Sequence, residues 1–401
     1  MTIAEKNRNR KVLRNLIKIT CESDGSIQNV HTPYELCEDM IIELVEHTDI
    51  CSEKDILVMF NLEYIPILIE EAGVKAENIW FMSDSERRRK RAECYYNVNT
   101  IDFKICDLIQ YKEGKNIMGK QFDVVIGNPP YHKKSNIKDK KTQAIWPGFV
   151  DMSFKICKEN GHTSLIHPSG WRSDGMYKKT GNKIKSKQIR YVEIHDEKDG
   201  MKKFKAETRY DWYVIKNCSN IEDTYIKDQN KVVSKINVKD MKIIPNFMIS
   251  DVQNLLAKKG EERVKIIADS LYHTQAGVKK GFMQEDMTEE FKYPCVYFVN
   301  SKGKLKLWYS NENKGHFGIP KLIFSNGRIS SANYFIDKEG KYGLTQFSYG
   351  VLDNIENFDN IYKAMRTKEF KKIMEACSVG LLSINKDVLS LFKKDFWKEF
   401  I

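Results

Sequence analysis

Short apolar runs alternate with helical segments along the first half of the chain. Each run is bounded by charged or polar residues, which is the pattern of a buried strand. The expected strands are 56–60, 79–82, 103–106 and 122–126, followed by 163–167, 190–195 and 209–215. Because strands that alternate with helices usually pair in parallel, the pattern predicts an α/β fold with a doubly wound sheet.

The residues around Thr32 predict the start of a helix. Thr32 can cap the helix, Pro33 suits the first helical position because it needs no N–H donor, and Glu35 completes a capping box. Apolar residues recur behind them at helical spacing as far as Val45. The residues before this start, 1–30, are predicted to form a basic helical arm.

The character of the chain changes near residue 217. Beyond that point the sequence is rich in Lys and Asn, with strand candidates at 296–299, 304–309 and 322–324 and a helical segment at 359–401. We therefore expect three parts: the arm at 1–30, an α/β domain at 31–216, and an α+β domain at 217–401.

Composition narrows the class of protein. Hydrophobic residues make up 41% of the 401 residues, enough for a large core, which excludes a disordered chain. No apolar run approaches the roughly 20 residues of a membrane span, and the N-terminus lacks the apolar stretch of a secretory signal. The nine cysteines include no CxxC pair. We therefore expect a cytoplasmic protein with reduced thiols, no metal site and no membrane contact.

Positive charge is concentrated in three runs, at 87–91, 132–142 and 177–190. The formal net charge is +11, a modest excess for this length. Basic runs are usually solvated surface, but three of them around one central segment favour a polyanionic partner, because Lys and Arg release counterions from phosphates.

The segment Asn128-Pro129-Pro130-Tyr131 directly follows the expected strand 122–126. Ligands of open α/β sheets bind beyond the carboxyl ends of the strands, which is where this segment falls. The prolines stiffen the loop and leave the Pro129 carbonyl without a neighbouring donor, while Asn128 adds a side-chain acceptor and Tyr131 a flat ring. Two acceptors beside a ring predict a receptor for a planar amide or an amino-purine.

Asn-Pro-Pro-Tyr after a hydrophobic strand resembles the motif of amino-methyltransferases that depend on S-adenosylmethionine. The order of parts is similar to the gamma class of N6-adenine DNA methyltransferases of restriction–modification systems, over about residues 30–215. This resemblance implies a Rossmann-like methyltransferase sheet followed by a C-terminal α+β target-recognition domain. It also implies S-adenosylmethionine as cofactor and double-stranded DNA as partner, and it is compatible with a separate restriction endonuclease.

The resemblance implies a set of cofactor-binding residues. Thr32 and Pro33 match the family's first cofactor motif, beside the methionine part of the cofactor. Asp84 matches the acid that binds the ribose hydroxyls, and a carboxylate can accept both hydroxyl protons. Asp107 matches the acid that receives the amino group of the cofactor adenine, and Asn128 borders both cofactor and substrate.

The resemblance also implies a catalytic set, Asn128, Pro129, Pro130 and Tyr131. Hydrogen bonds from the amino group of an adenine to Asn128 and to the Pro129 carbonyl would aim its lone pair at the methyl group. The target base must leave the duplex and stack on Tyr131, with Phe204 resembling the aromatic on its other face.

Lysines close in sequence to this loop are candidates for contact with the DNA backbone. They are Lys133, Lys134, Lys178 and Lys179.

The stretch after the first expected strand departs from the family pattern. The family has a glycine-rich acidic motif there, whereas residues 58–64 read VMFNLEY, without glycine. Asn61 is expected to supply a left-handed residue if the turn needs one, and Phe60 to fill part of the space. Phe60 and Asn61 are therefore the cofactor candidates here, with Glu63 as another contact, unless the domain has lost the cofactor.

Other functions stay open. One alternative is a non-catalytic DNA-binding or specificity protein with a degenerate methyltransferase domain, and another is an RNA adenine methyltransferase. Glutamine methyltransferases of release factors share Asn-Pro-Pro-Tyr but lack a large domain after the catalytic one. His167 and His195 end strand-like segments without a Ser or Cys partner at a recognisable spacing, so we interpret them as structural.

Overall fold

The computed structural model describes residues 31–48, 50, 52–104, 107–108, 119–133, 143–378 and 384–401. The predicted arm at 1–30 lies outside these residues. The chain divides into two compact units, the first ending at Lys242 and the second beginning at Ile243. The division therefore falls later than the boundary expected after residue 216.

Among the described residues, nine strands form one sheet in the first unit. In chain order they are β1 (Ile56–Met59), β2 (Ile79–Ser83), β3 (Asn99–Asp102), β4 (Phe122–Gly127), β5 (Cys157–Pro168), β6 (Lys187–His195), β7 (Tyr210–Ser219), β8 (Thr224–Lys227) and β9 (Val233–Ile236). The last two continue the sheet beyond residue 216, which is why the unit ends later than predicted.

The strand order is β3-β2-β1-β4-β5-β7-β6-β8-β9. The first five strands pair in parallel, and β7 runs antiparallel between β5 and β6. The order β3-β2-β1-β4-β5 is that of a Rossmann sheet, in which the direction of winding reverses between β1 and β4. The predicted α/β, doubly wound fold is confirmed.

Helices cover both faces of this sheet. They are α1 (Tyr34–His47), α2 (Tyr64–Glu70), α3 (Glu86–Tyr96), α4 (Trp146–Ile156), α5 (Lys178–Ser186) and α6 (Glu197–Phe204). Short 3₁₀ helices lie at Ala76–Asn78 and Ser169–Arg172. Residues of α1, α2 and α3 share one core with alternate residues of β1 and β4, such as Val58 and Ile126. Because both faces are covered, β1 is buried along its whole length.

Two local predictions were wrong. The third strand lies at Asn99–Asp102 instead of 103–106, and Phe103 follows it as a buried loop residue. Helix α1 begins at Tyr34 with Pro33 as its N-cap, and no side chain caps it. Thr32, expected to be that cap, instead uses its hydroxyl elsewhere, as described below.

The second unit has α+β architecture, as predicted. Its strands are β10 (Lys265–Ile267), β11 (Met283–Gln284), β12 (Tyr293–Val299), β13 (Leu305–Ser310), β14 (Lys321–Ser325), β15 (Tyr334–Asp337), β16 (Gly343–Leu344) and β17 (Ser348–Leu352). Its α-helices are α7 (Ile249–Leu255), α8 (Thr274–Lys279), α9 (Phe358–Arg366), α10 (Lys368–Ala376) and α11 (Lys386–Leu389), and its 3₁₀ helices are Ile329–Ser331, Ile355–Asn357 and Phe396–Glu399.

The described strands of this unit form two sheets of four, ordered β10-β17-β14-β15 and β11-β13-β12-β16. Nearly all of their pairs are antiparallel, and β12 with β16 is the parallel exception. In the ranges that the structure describes, no helix is both long and apolar enough to cross a membrane.

Candidate active site

The candidate site lies where the winding of the first sheet reverses, at the carboxyl ends of β1 and β4. Met59 ends β1 and is paired with Gly127, which ends β4. A Cβ atom on Gly127 would lie 2.4 Å from the Met59 carbonyl oxygen, so only glycine lets the two strands approach this closely. The turns that leave β1 and β4 therefore begin side by side.

Asn128, the first residue after β4, donates two hydrogen bonds that fix its position. Its backbone N–H donates to Oδ1 of Asn61 at 3.2 Å, and its side-chain Nδ2 donates to Oγ1 of Thr32 at 3.2 Å. All three residues are buried, with Asn128 only 4% exposed. These bonds fix the orientation of the Asn128 amide, and neither of them uses its side-chain oxygen, Oδ1. The structure thus brings together three of the predicted residues.

The two prolines and Tyr131 complete this loop. Pro129 and Pro130 are buried, and the Tyr131 carbonyl accepts the Ile145 N–H at 2.9 Å, which ties the loop to the start of α4. The Tyr131 hydroxyl is buried and has no hydrogen-bond partner among the described residues. Burial, reinforced by the charge of Asp211, holds the pKa of Tyr131 well above its ordinary value. Tyr131 therefore stays neutral and can serve as a ring surface.

The turn after β1 has an unexpected left-handed residue. It is Phe60, at φ 66°, and not Asn61 as the sequence suggested. The Phe60 N–H donates to the Met82 carbonyl at 2.8 Å, and its carbonyl accepts from Nη1 of Arg88 at 2.9 Å. Both backbone groups of this residue are therefore used by the protein itself.

The ring of Phe60 is fully packed. It lies edge-on to Phe149 at 5.3 Å and to Phe103 at 6.3 Å between ring centroids. Left-handed backbone is unfavourable for a bulky residue, by about 1–2 kcal/mol. The packing and the two hydrogen bonds compensate for it.

Glu63 lies at the end of the same turn and is 1% exposed. Its Oε1 accepts the Thr32 N–H at 3.2 Å and also pairs with Nδ1 of His31. The hydrogen bond that His31 donates to Glu63 raises the pKa of His31 above its ordinary value. The second oxygen, Oε2, is buried without a hydrogen-bond partner in the described part of the chain.

The two predicted acids on the neighbouring strands differ in what they already bind. Asp84, just after β2, is half-buried, and its Oδ1 has no hydrogen-bond partner among the described residues. Asp107 accepts the Lys104 N–H at 2.8 Å with Oδ2. An orphaned carboxylate oxygen on Asp84 fits the hydroxyl donors of a ribose. Across the described ranges, no three His, Cys, Asp or Glu side chains are grouped to hold a metal ion.

Phe204 is the last residue of α6 and is half-buried. Its ring meets that of Tyr210 edge-on at 4.9 Å, and it packs against the same core as Tyr131. Tyr210 in turn stacks on His195 at 4.4 Å, and Nδ1 of His195 lies 2.9 Å from Oδ2 of Asp199. His195 is thus part of the support for Phe204, which agrees with its interpretation as structural.

Sequence reasoning missed a buried ion pair beside Tyr131. Asp211 accepts from Nε of Arg172 at 2.7 Å and from Nε1 of Trp171 at 2.9 Å, and all three side chains are completely buried. The signal was present, because Asp211 is a charged residue within the aromatic and β-branched run of β7. His167, paired with Asp211 across the sheet, is also buried, and burial lowers its pKa to about 4.

The basic runs turn out to be partly internal. Arg88 binds the Phe60 carbonyl, Arg89 donates to the Ser83 carbonyl at 2.7 Å, and Lys185 donates to the Met241 carbonyl at 2.7 Å. These three cations are committed to the fold, which weakens the case that whole runs face a polyanion.

The candidate DNA-contact lysines differ among themselves. Lys133 and Lys179 are exposed, and exposed Lys178 pairs with Asp174 at 3.3 Å. Lys134 lies outside the described residues.

Part of the chain matches the model of a known protein family. Residues 54–204 match the family model described as Eco57I restriction-modification methylase. The match contains both turns of the site and Phe204, and over this segment it confirms the resemblance to restriction–modification methyltransferases. No curated protein matches the chain.

Several solved structures are similar in outline. A putative class I S-adenosylmethionine-dependent methyltransferase from Listeria monocytogenes is 11% identical, over 55% of this chain and 72% of that chain, with a TM-score of 0.40. The type IIG restriction endonuclease BpuSI is 8% identical, over 98% and 62%, with a TM-score of 0.45. A protein in a DrdV–DNA complex is 11% identical, over 98% and 58%, with a TM-score of 0.49. The chain thus spans less than two thirds of the last two, and likenesses this weak support no function.

Proposed function

Because residues 54–204 match a restriction-modification methylase family, we propose that this protein is a site-specific DNA methyltransferase that modifies the N6 amino group of adenine. The observation that carries the proposal is the fixed amide of Asn128. Its Nδ2 is committed to Thr32 and its backbone N–H to Asn61, so its oxygen is positioned as an acceptor. An acceptor oriented in advance costs no reorganisation when the substrate arrives.

S-adenosylmethionine would supply an activated methyl group when bound. Asp84 offers an unpartnered carboxylate oxygen for the ribose hydroxyls, and Thr32, Asn61 and Asn128 are joined by hydrogen bonds at the adjoining edge of the sheet. Pro33, next to Thr32, would lie beside the methionine part of the cofactor.

Asp107 would receive the amino group of the cofactor adenine. Phe60 takes part through its packing, since its backbone groups are already bonded within the protein.

The substrate adenine would be held by the loop after β4. Asn128 Oδ1 and the Pro129 carbonyl would accept the two protons of its amino group, which localises the nitrogen lone pair for attack. Pro129 and Pro130 keep the loop stiff, so positioning supplies most of the catalysis. The neutral ring of Tyr131 would stack on the extruded base, and Phe204 would close its other face.

The duplex would contact the exposed lysines beside this loop, Lys133 and Lys179, with Lys178 and Lys134 as further candidates. Target recognition would belong to the second unit, which begins at Ile243. A separate restriction endonuclease is the partner expected in a restriction–modification setting.

Transfer of radiolabelled methyl groups from S-adenosylmethionine tests the proposal. The purified protein is incubated with plasmid DNA or with RNA, and the nucleosides are then separated after digestion. We expect label in N6-methyldeoxyadenosine, and loss of that label in Asn128→Ala. Label in RNA adenosine alone would support the RNA alternative, and label in neither would contradict the proposal.

The glycine-free turn favours one alternative, a DNA-binding protein that has lost the cofactor. It predicts DNA binding without cofactor binding, so a measurement of cofactor affinity separates it from the enzyme.

A further inference from the structure

Half of the buried carboxylate of Glu63 has no partner in the described part of the protein. Oε1 is occupied by the Thr32 N–H and by His31, whereas Oε2 is buried and unbonded. Leaving a buried carboxylate oxygen without a donor is costly. A site of this kind is stabilised by a ligand that brings a cationic N–H donor.

The position of Glu63 indicates which ligand this is. Its Oε1 holds Thr32, whose hydroxyl accepts from Asn128, so Glu63 is joined by two hydrogen bonds to the proposed catalytic amide. Asp84, at the end of the neighbouring strand β2, offers a second unpartnered carboxylate oxygen. One ligand that contacts both carboxylates would need a hydrogen-bond donor for each of them, and a cationic N–H is the stronger donor for a buried carboxylate.

The turn after β1 gives a reason for this arrangement. Both backbone groups of Phe60 are bonded to Met82 and Arg88, and the turn contains no glycine that would let a ligand approach the backbone closely. The Phe60 backbone is therefore not open to a ligand, and Glu63 is the buried charged side chain of this turn.

We infer that Glu63 binds the α-ammonium group of the methionine part of S-adenosylmethionine, an inference that rests on the proposed function. The ammonium donates to Oε2, while Oε1 keeps its bonds to Thr32 and His31. The carboxylate thus replaces the backbone contacts that a glycine-rich turn would offer.

Two nucleosides that differ in the amino-acid part test this assignment by calorimetry. S-adenosylhomocysteine carries the ammonium group and no sulfonium, and 5′-methylthioadenosine carries neither. The variants are Glu63→Gln, which keeps the shape and removes the charge, and Glu70→Gln, an exposed position on α2, as the matched control.

We expect Glu63→Gln to weaken S-adenosylhomocysteine binding about tenfold or more and to leave 5′-methylthioadenosine binding unchanged. Glu63→Asp, which keeps the charge on a shorter side chain, should recover part of the loss. Glu70→Gln should bind both nucleosides like the wild type.

Equal weakening of both nucleosides by Glu63→Gln would show a structural role and overturn the inference. Unchanged S-adenosylhomocysteine binding in Glu63→Gln, with the wild type binding normally, would also overturn it and leave the proposed function standing. Failure of the wild type to bind either nucleoside would overturn both.

Discussion

The turns after β4 and after β1 lie side by side at the centre of the first sheet and are built differently. After β4, Gly127 lets the strands approach, and the loop that follows presents an oriented amide, a carbonyl and a ring. After β1, no glycine is present, and Phe60 adopts a left-handed conformation stabilised by Arg88 and by two phenylalanine rings. The turn after β4 keeps the Asn128 side-chain oxygen outside its two hydrogen bonds, whereas the turn after β1 uses both backbone groups of Phe60 within the protein.

The two turns leave different groups open to a ligand. A residue whose backbone N–H and carbonyl are already paired, as in Phe60, can contact a ligand through its side chain only. In the β1 turn, Asn61 and Glu63 act through their side chains: Asn61 holds Asn128, and Glu63 holds Thr32. The β1 turn thus supports the β4 turn, and the two are coupled through buried hydrogen bonds.

The largest expected effect comes from removing the amide of the β4 turn. Asn128→Ala should lower the rate of methyl transfer about 100-fold or more, because one oriented acceptor is lost. Thr32→Val, which keeps the shape of the side chain and removes the hydroxyl that accepts from the amide, should cause a smaller loss of about tenfold. Single-turnover methylation of DNA at saturating cofactor checks both, and a wild-type rate in Asn128→Ala would contradict the assignment.

The close approach of β1 and β4 can be broken at its glycine. Gly127→Ala should destabilise the protein by about 2–3 kcal/mol, because the new Cβ meets backbone and one strand has to move. Urea unfolding measures this change. Gly327→Ala, where a Cβ would meet nothing within 4 Å, is the control and should stay near the wild type. Equal losses of unfolding free energy in the two variants would contradict the close approach of β1 and β4.

The β1 turn can be tested through the arginine that stabilises it. Arg88→Met should cost about 1–2 kcal/mol of unfolding free energy, because the Phe60 carbonyl loses its donor. Arg87→Met, at an exposed neighbour in the same basic run, should change stability much less. If the two variants unfold at the same urea concentration, Arg88 does not stabilise this turn.

The smallest expected effect is a pH dependence of stability that comes from the pair His31 and Glu63 beside the β1 turn. The pKa of His31 is raised above 6.5 in the folded protein, so its pairing with Glu63 stabilises fully below pH 6.5 and is lost as the pH rises through the raised pKa. Because the His31 side chain is 55% exposed, we expect a contribution below about 1 kcal/mol. His31→Ala should unfold more easily than the wild type at pH 6 and equally at pH 9. A difference that grows toward pH 9 would contradict the pairing.

The position of the β4 turn could be predicted from the sequence because the residues that indicate it are adjacent in the chain. A buried strand that ends in Gly127 and runs into two prolines and a tyrosine has few structural alternatives, and the structure places Asn128 at the predicted edge. The pairing of Asn128 with Thr32 could not be read from the chain, because it joins residues 96 apart in sequence.

The β1 turn could not be predicted because tertiary packing overrides local preference there. Asn61 is the better left-handed residue, yet its side chain is needed by Asn128 and the ring of Phe60 is needed by Phe103 and Phe149. Arg88 looked like surface charge for the same reason, since nothing local shows that a buried carbonyl lies within its reach.

The structural division falls beyond the expected domain boundary for a different reason. Strands β8 and β9 continue the sheet but are half-exposed and polar, so they contain no apolar run that could mark them. Strand β8 gains its place by pairing with β6, and the edge strand β9 by pairing with β8, rather than from their own sequences.

Titration of the wild type and of Asp84→Ala with S-adenosylmethionine in a calorimeter tests the proposed cofactor site most directly. We expect the wild type to bind the cofactor although the turn after β1 has no glycine, and Asp84→Ala to bind it far more weakly. A folded wild type that binds no S-adenosylmethionine, with or without DNA, would contradict the proposed cofactor site and indicate a DNA-binding protein that has lost the cofactor.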